Sequence, residues 1–212
     1  MNEFITYIEP TQPYLLLTFV LALVFLNYTK ISNKLLLLIL LICCINEITI
    51  NIFMYLKKET LYISAVNLML HNISWLSLIA FVCANRTIWM SAVVYMCYCI
   101  GSFFIFDGLP LFTMAFISGA ILYLLVFIIE SFRQLKKENF TFFTSNSYLL
   151  LSAPVLFFIG ISFICGFSNK DLAEYKLFGE ITLYQFITYF VNVVYYSIIN
   201  YYIYSEKKGE NA

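Results

Sequence analysis

Seven long apolar stretches separated by short polar segments dominate this chain of 212 residues. A helix that crosses the hydrocarbon core of a bilayer needs about 20 predominantly apolar residues. It can cross because its backbone hydrogen bonds are all satisfied within the segment. The pattern therefore predicts an all-α polytopic membrane protein, with residues 1–212 forming a single bundle of seven transmembrane helices. The predicted spans cover about residues 14–29, 35–56, 61–83, 87–106, 110–130, 147–167 and 181–203.

Composition excludes the common soluble classes. The chain is 62% hydrophobic and 11% charged, whereas soluble domains are about 45–50% apolar and about 25% charged. A soluble enzyme, a nucleic-acid-binding protein and a disordered chain are therefore excluded. The 12 basic and 12 acidic residues balance, so no basic patch indicates direct nucleic-acid binding. The lipid bilayer is the first partner that the sequence predicts.

The distribution of lysine and arginine predicts the orientation, because cytoplasmic loops are enriched in both. With the N-terminus outside, 8 of the 12 basic residues fall on the cytoplasmic side. We therefore expect an N-out, C-in protein of a bacterial-type inner membrane, an orientation that one span more or fewer would reverse. The cytoplasmic set is Lys30, Lys34, Arg86, Arg133, Lys136, Lys137, Lys207 and Lys208, and the external set is Lys57, Lys58, Lys170 and Lys176.

Ionisable side chains within the spans are rare, and such residues usually face the bundle interior or a wet cavity. Glu47 lies well inside the second span, and the single histidine, His71, lies in the middle of the third. Glu47, His71 and Asn192 lie about nine, ten and eleven residues from the outer ends of their spans. Their depths therefore agree within about one helical turn. The three side chains are expected to meet near the midplane.

Helical spacing extends this cluster. Polar residues recur on one face of the second span (Cys43, Glu47, Asn51) and of the third (Asn67, His71, Ser74). The seventh span carries a similar stripe (Gln185, Thr188, Asn192, Tyr196). Three interpretations stay open: hydrogen bonds that only hold helices together, a ligand pocket open to the outside, and a proton relay through Glu47 and His71. The ligand or switch site predicted here comprises Glu47, Asn51, Asn67, His71, Gln185 and Asn192.

The sequence lacks the residues that several known kinds of intramembrane active site or cofactor site require. The seventh span has no lysine for a retinal Schiff base, and both aspartates, Asp107 and Asp171, fall in loops. One histidine is too few for a zinc site, which needs about three protein ligands, or for a haem with two histidine ligands. We therefore expect a protein that is not an enzyme and holds no cofactor and no metal. Pro110 and Pro154 do not occupy matching positions in the two halves, which disfavours a repeat-built transporter.

Several of these residues also carry a resemblance. The pair Asn46-Glu47, Asn67, and the segment from Tyr189 to Tyr196 are similar to a group of small seven-span inner-membrane proteins of low-GC bacteria. These proteins are often encoded beside sensor histidine kinases and are largely uncharacterised. The resemblance implies a membrane sensor or input module with a separate cytoplasmic partner. Where an acid would be expected late in the third span, this chain has Ile73 and Ser74.

The predicted function is therefore signal transduction by a sensor or accessory protein that couples the polar intramembrane site to a cytoplasmic signalling or effector protein. Its partner-binding surface would be Arg133, Lys136 and Lys137, together with the tail from Glu206 to Glu210. Charges placed there only to set topology are the simpler explanation of that surface. The alternatives are a homo-oligomeric pore or permeability factor, such as an accessory membrane component of a phage-defence locus, and a small transporter.

Overall fold

The computed structural model describes residues 10–106, 108–166, 175–179 and 181–210, and it is almost entirely helical. A helix overlaps each of the seven apolar stretches. The elements in chain order are α1 (Thr11–Phe25), α2 (Ile31–Tyr55), α3 (Leu61–Val82), α4 (Arg86–Ile105), α5 (Gly108–Lys136), α6 (Phe140–Phe143), α7 (Asn146–Gly166), β1 (Lys176–Phe178), β2 (Ile181–Thr182) and α8 (Leu183–Glu210).

Within the described chain, five helices are long and apolar enough to cross a membrane: α2, α3, α4, α5 from Thr113 onwards, and α7 up to Phe163. Helix α1 is apolar but has 15 residues, and at about 1.5 Å per residue it extends only about 22 Å. Helix α8 has 28 residues, but its tyrosines and amides lower its hydropathy. Five such helices are compatible with a multi-pass membrane protein.

The outer surface of the helices is rich in large apolar side chains. On α2, for example, Leu38, Ile45 and Ile48 are each at least 45% exposed. Soluble monomers rarely expose contiguous apolar patches of more than a few hundred Å². The exposed side chains are therefore suited to contact with lipid chains.

The structure corrects several of the predicted boundaries and adds a short hairpin to the helical fold. Helix α5 continues to Lys136 and α6 follows it, so the segment between the predicted spans 110–130 and 147–167 is largely helical. Helix α1 begins at Thr11 and ends at Phe25, a few residues before the predicted limits. A short antiparallel hairpin precedes α8 and pairs Lys176 with Thr182.

Three helices end in the same way, at a residue with a left-handed backbone. Lys57, Ala84 and Glu138 have φ of 54°, 47° and 55°. The next amide in each case reaches back five residues, as in the bond from Lys58 N to Phe53 O (2.9 Å). This arrangement satisfies helix-terminal carbonyls and turns the chain sharply after α2, α3 and α5.

Helix α3 lies at the centre of the bundle, in contact with α2, α4, α5 and α7. It is the most buried of the apolar helices, and Trp75, Leu76, Leu78 and Ile79 on it are fully buried. Helix α8 packs against α7 and α1. The close approach of α5 to α4 depends on Gly119, because a Cβ at this position would lie 2.6 Å from Tyr95 Oη.

Charged and polar contacts gather at one end of the bundle, which we name the basic end. It consists of the turns between α1 and α2 and between α3 and α4, the segment around α6, and the C-terminal turns of α8. Lys30 Nζ lies 2.6 Å from Glu206 Oε2, and Asn146 Nδ2 donates to Glu206 Oε1 (2.9 Å). These contacts join the α1–α2 turn to α7 and α8. The predicted external residue Lys170 and the N-terminal residues Glu3 and Glu9 lie outside the described residues.

Candidate functional site

A partly enclosed cavity of about 200 Å³ lies among α1, α2, α3, α5, α7 and α8. Thr11 at the start of α1 and Tyr184 at the start of α8 line it, so it approaches the end opposite the basic end. We name it the polar cavity because a carboxylate and several amide and hydroxyl groups line it. The carboxylate is that of Glu47, and the other polar groups belong to Thr11, Gln12, Asn46, Asn67, Thr188 and Asn192.

The structure brings together four of the six side chains predicted for the ligand or switch site. Glu47, Asn67, His71 and Asn192 all line the polar cavity. They come from α2, α3 and α8, the helices that correspond to the second, third and seventh predicted spans. Depth and helical periodicity therefore located the residues of one cavity.

The other two predicted residues lie elsewhere. Asn51 is buried beside the cavity, where its Nδ2 donates to Gln12 Oε1 (2.9 Å). Gln185 is exposed and forms a reciprocal pair with Thr182: Gln185 N donates to Thr182 Oγ1 (3.2 Å), and Thr182 N donates to Gln185 Oε1 (3.1 Å). This is the capping-box arrangement that begins a helix. Gln185 thus starts α8 and lies outside the cavity.

Gln12 is a central residue of the cavity that the sequence did not indicate. Its Nε2 donates to Glu47 Oε2 (2.7 Å) and lies 3.3 Å from Asn51 Oδ1. Gln12 is 8% exposed, and it holds the start of α1 against α2. The first predicted span began at about residue 14, so Gln12 fell in the tail before it.

His71 lies on the cavity wall with its two ring nitrogens in different surroundings. Trp75 Nε1 donates to His71 Nε2 (3.1 Å), and Tyr195 Oη lies 3.4 Å from the same nitrogen. The Trp75 N–H is shared with Tyr195 Oη (3.2 Å). Because an indole N–H can only donate, the contact with Nε2 favours the neutral tautomer of His71 that carries its proton on Nδ1. His71 is 3% exposed, and its Nδ1 is buried without a hydrogen-bond partner.

Two further polar atoms on cavity-lining residues are also buried without a partner. They are Asn46 Oδ1 and Thr188 Oγ1. Asn192 Nδ2, by contrast, donates to the backbone oxygen of Thr188 (2.9 Å). About 90% or more of buried polar groups in proteins are hydrogen-bonded, so these three atoms are exceptions on residues that line the cavity.

A layer of aromatic side chains closes the cavity toward the basic end. Trp75, Tyr123, Phe158 and Tyr195 are at most 1% exposed. Their rings contact one another in turn, with centroid separations of 6.2 Å for Trp75 and Tyr123 and 5.2 Å for Tyr123 and Phe158. Trp75 lies one turn after His71 on α3. The i, i+4 spacing of these two residues was a sequence signal that could have located it.

Helix α8 joins the polar cavity to the basic end. Thr188, Asn192, Tyr195 and Tyr196 line the cavity. Two turns further along, Tyr202 Oη donates to Asn33 Oδ1 on α2 (2.6 Å). Glu206, the partner of Lys30, follows one turn later, so a single helix contacts both regions.

The predicted partner-binding residues occupy the basic end. Arg133, Lys136 and Lys137 are exposed, and Arg133 Nη1 lies 3.3 Å from Glu130 Oε2. Glu206 is 8% exposed and bonded to Lys30 and Asn146. That part of the predicted partner surface is therefore packed inside the protein.

Within the described part of the chain, no group of three or more histidine, cysteine, aspartate or glutamate side chains is placed to hold a metal ion. The cavity instead offers hydrogen-bond donors and acceptors, one carboxylate and aromatic rings. That set suits binding of a small organic molecule.

Comparison with known proteins found no relative of this chain. No protein-family model matches the chain, and no curated protein or solved structure matches it. The resemblance to small seven-span proteins encoded beside sensor histidine kinases therefore stays a prediction.

Proposed function

We propose that this protein is a non-enzymatic membrane receptor subunit of seven spans. It binds a small ligand in the polar cavity and passes the signal to a cytoplasmic protein. The observation that carries the proposal is the polar cavity itself, which Glu47, His71 and Asn192 from three helices line together. A few convergent polar groups on a largely apolar pocket are typical of a site that orients a small ligand.

The proposed orientation is N-out and C-in, in a bacterial-type inner membrane. Lys30, Arg133 and the other lysines and arginines of the basic end would face the cytoplasm, as positive charges in short loops do. The polar cavity would then open toward the outside. In this arrangement α1 and α8 complete the set of seven spans beside the five apolar helices.

Transmission would run through α8. The helix has 28 residues and extends about 42 Å at about 1.5 Å per residue, enough to connect both membrane surfaces. A shift of Tyr195 and Tyr196 at the cavity would be carried to Glu206, whose bonds to Lys30 and Asn146 hold the basic end together. The exposed Arg133, Lys136 and Lys137 would present the change to the partner.

The buried aromatic layer argues against a pore through a single copy. Trp75, Tyr123 and Phe158 fill the bundle on the basic side of the cavity. A pore would have to form between copies of the chain. The mass of the particle in a lipid nanodisc separates the two functions, since a receptor subunit requires only a monomer or dimer and a pore requires a ring of several copies.

Coupling between the cavity and the basic end can be measured without knowing the ligand or the partner. Spin labels at Lys137→Cys and Lys208→Cys, in a chain whose native cysteines are replaced, report the distance between the α5 end and the α8 end. Glu47→Gln removes the charge that Gln12 contacts, and Glu59→Gln makes the same change at an exposed turn residue.

We expect Glu47→Gln to shift the distance distribution and Glu59→Gln to leave it as in the parent. Identical distributions for the parent and for Glu47→Gln, in protein that retains its helical content, would overturn the coupling. Both labelled positions are exposed, so the labels themselves disturb little packing.

A further inference from the structure

We infer that the basic end holds a binding site for one anionic phospholipid. An acyl chain of the lipid lies in an apolar groove along α5, and Lys136 and Lys137 bind its phosphate. The inference goes beyond the proposed receptor function and does not depend on it, because it uses neither the polar cavity nor the cytoplasmic partner. It follows from the lining of the groove, its length and the two lysines at its end.

A groove of about 410 Å³ lies on the protein surface between α5, α6 and the start of α7. We name it the interfacial groove. Its hydrophobic residues on α5 and α6 are Phe127, Ile128, Phe132, Leu135, Phe140 and Phe143. Ser131 also lines it, but its Oγ donates to the backbone oxygen of Phe127 (2.8 Å). The groove is therefore suited to a hydrocarbon chain.

Aromatic contacts build the groove and leave two of its rings uncovered. Tyr148 on α7 stacks on Phe127 of α5, with ring centroids 5.6 Å apart, and contacts Phe143 of α6 at 5.1 Å. Phe132 and Phe140, by contrast, are 61% and 64% exposed although they line the groove. Their rings thus offer apolar surface to a molecule lying in it.

The interfacial groove has the depth of one bilayer leaflet. Phe127 and Lys136 are nine residues apart on α5, which corresponds to about 14 Å at about 1.5 Å per residue. The hydrocarbon core of a bilayer is about 30 Å thick, so one leaflet contributes about 15 Å. Helix α5 from Thr113 onwards is apolar enough to cross a membrane. A lipid chain running along α5 therefore matches the groove in length.

Two lysines lie where the groove reaches the end of α5. Lys136 follows Leu135 and comes four residues after Phe132, and residues four apart in a helix are neighbours on one face. Lys137 is the next residue. Both lysines are exposed, and neither forms an ion pair with another residue that the structure describes. Their charges are available to a phosphate at the membrane surface.

Neighbouring charged groups do not cancel this lysine pair. Arg133 Nη1 lies 3.3 Å from Glu130 Oε2, so these two charges compensate each other. Glu138 is an exposed acid directly after the lysines, which leaves the turn with a net positive charge.

Charge selects the lipid, because the groove alone does not. Lipid chains are as apolar as leucine, so an apolar groove does not distinguish one phospholipid from another. Basic pockets beside membrane helices bind anionic head groups. A zwitterionic phospholipid carries its own ammonium group, which the lysines repel. The geometry and the charge together therefore favour a lipid with a net negative head group.

The test compares phosphatidylglycerol with phosphatidylcholine of the same acyl chains. The whole chain in micelles that contain equal amounts of both is observed by native mass spectrometry, which counts the lipids of each kind that the protein retains. Each lysine near the surface contributes about fivefold to the attraction of anionic lipid. Since Glu138 offsets part of the charge, we expect phosphatidylglycerol to be retained about 10- to 30-fold more strongly.

Two variants remove different parts of the site. Lys136→Gln combined with Lys137→Gln should lower the retention of phosphatidylglycerol to that of phosphatidylcholine. Ser131→Trp places a large ring in the groove and keeps both lysines, so it should lower the retention of both lipids. If Ser131→Trp does not fold, the lysine variant still tests the inference.

The chain offers a matched control for each variant. The sequence Leu-Lys-Lys-Glu occurs both at residues 135–138 and at residues 56–59, so Lys57→Gln combined with Lys58→Gln makes the same charge change at the other end of the bundle. Ser118→Trp makes the same ring substitution on α5 outside the groove, at a serine whose Oγ also donates to the backbone oxygen four residues earlier (2.6 Å). Both controls should retain the lipids as the parent does.

Equal retention of the two lipids by the parent would overturn the inference. An equal loss of phosphatidylglycerol in the two lysine variants would also overturn it, because general attraction by positive charge would then explain the preference. Unchanged retention in Ser131→Trp, in protein with the helical content of the parent, would exclude the groove. The spin-label distances between Lys137→Cys and Lys208→Cys respond to Glu47→Gln, which none of these variants contains. Failure of the lipid site and failure of the proposed coupling are therefore distinguishable.

Discussion

Nε1 of Trp75 donates a hydrogen bond to Nε2 of His71 across 3.1 Å, and both residues are buried on α3. The pair joins the wall of the polar cavity, which includes His71, to the aromatic layer, which includes Trp75. Because an indole N–H is only a donor, the bond favours the tautomer of the single histidine that carries its proton on Nδ1, which is buried without a partner. The tautomer of a residue that lines the cavity is thus influenced by a residue that does not line it.

Trp75→Phe tests this relationship. The substitution removes a donor to Nε2, so the Nε2–H tautomer of His71, which can donate to Tyr195 Oη, should become populated. The nitrogen spectrum of protein labelled in histidine reports one residue, since the chain has one histidine. Trp89→Phe, at a 43% exposed position, should leave the parent spectrum unchanged. A dominant Nε2–H tautomer in the parent protein would contradict the assignment.

Gly119→Ala should destabilise the bundle. A Cβ at this position would lie against the Asn72 amide and 2.6 Å from Tyr95 Oη, so α5 would have to move away from α3 and α4. Overpacking of this kind costs about 1–3 kcal/mol. Thermal unfolding in nanodiscs measures the loss. Gly101→Ala is the matched control, because a Cβ there meets nothing within 4 Å, and an equal loss in both variants would rule out this explanation.

Glu206→Gln should loosen the basic end. Glu206 is 8% exposed while its partner Lys30 is 51% exposed, so the ion pair itself contributes modestly. The charged acceptor also receives the bond from Asn146. We expect a loss of stability of about 1 kcal/mol. Glu138→Gln, an exposed acid at the same end, should have no measurable effect, and a similar melting temperature for all three proteins would count against a structural role for Glu206.

The orientation predicts opposite accessibility for two turns. A cysteine placed at Glu59, in the α2–α3 turn, should react with a membrane-impermeant maleimide in intact cells. A cysteine placed at Lys137, after α5, should react only once the membrane is permeabilised. Both residues are exposed, so burial does not limit labelling. The reverse pattern would place the N-terminus inside.

Hydropathy located the long helices because a membrane span needs a continuous apolar length, which is visible in sequence. It did not locate their polar ends. Helix α5 continues past its apolar part because Gln134 Nε2 bonds to Glu130 Oε1 (2.7 Å) and Arg133 pairs with Glu130. Such i, i+3 and i, i+4 contacts stabilise helix without adding hydrophobicity.

The cavity residues Glu47, His71 and Asn192 were predictable because depth and helical period are both properties of sequence. Gln185 shared that period, but it forms a capping box with Thr182. The Thr-x-x-Gln spacing at the start of α8 is a sequence signal for a helix cap. It competes with the assignment of Gln185 to the polar stripe of the seventh span. Gln12 could not be predicted, because nothing local indicates that the start of α1 folds against Glu47.

The central claim is that the polar cavity and the basic end are coupled through α8, and one measurement tests it most directly. Spin labels at Lys137→Cys and Lys208→Cys, both exposed positions, report the distance between the end of α5 and the end of α8. The account predicts that Glu47→Gln shifts this distance and that Glu59→Gln leaves it as in the parent. Identical distance distributions for the parent and for Glu47→Gln, in protein that retains its helical content, would contradict it.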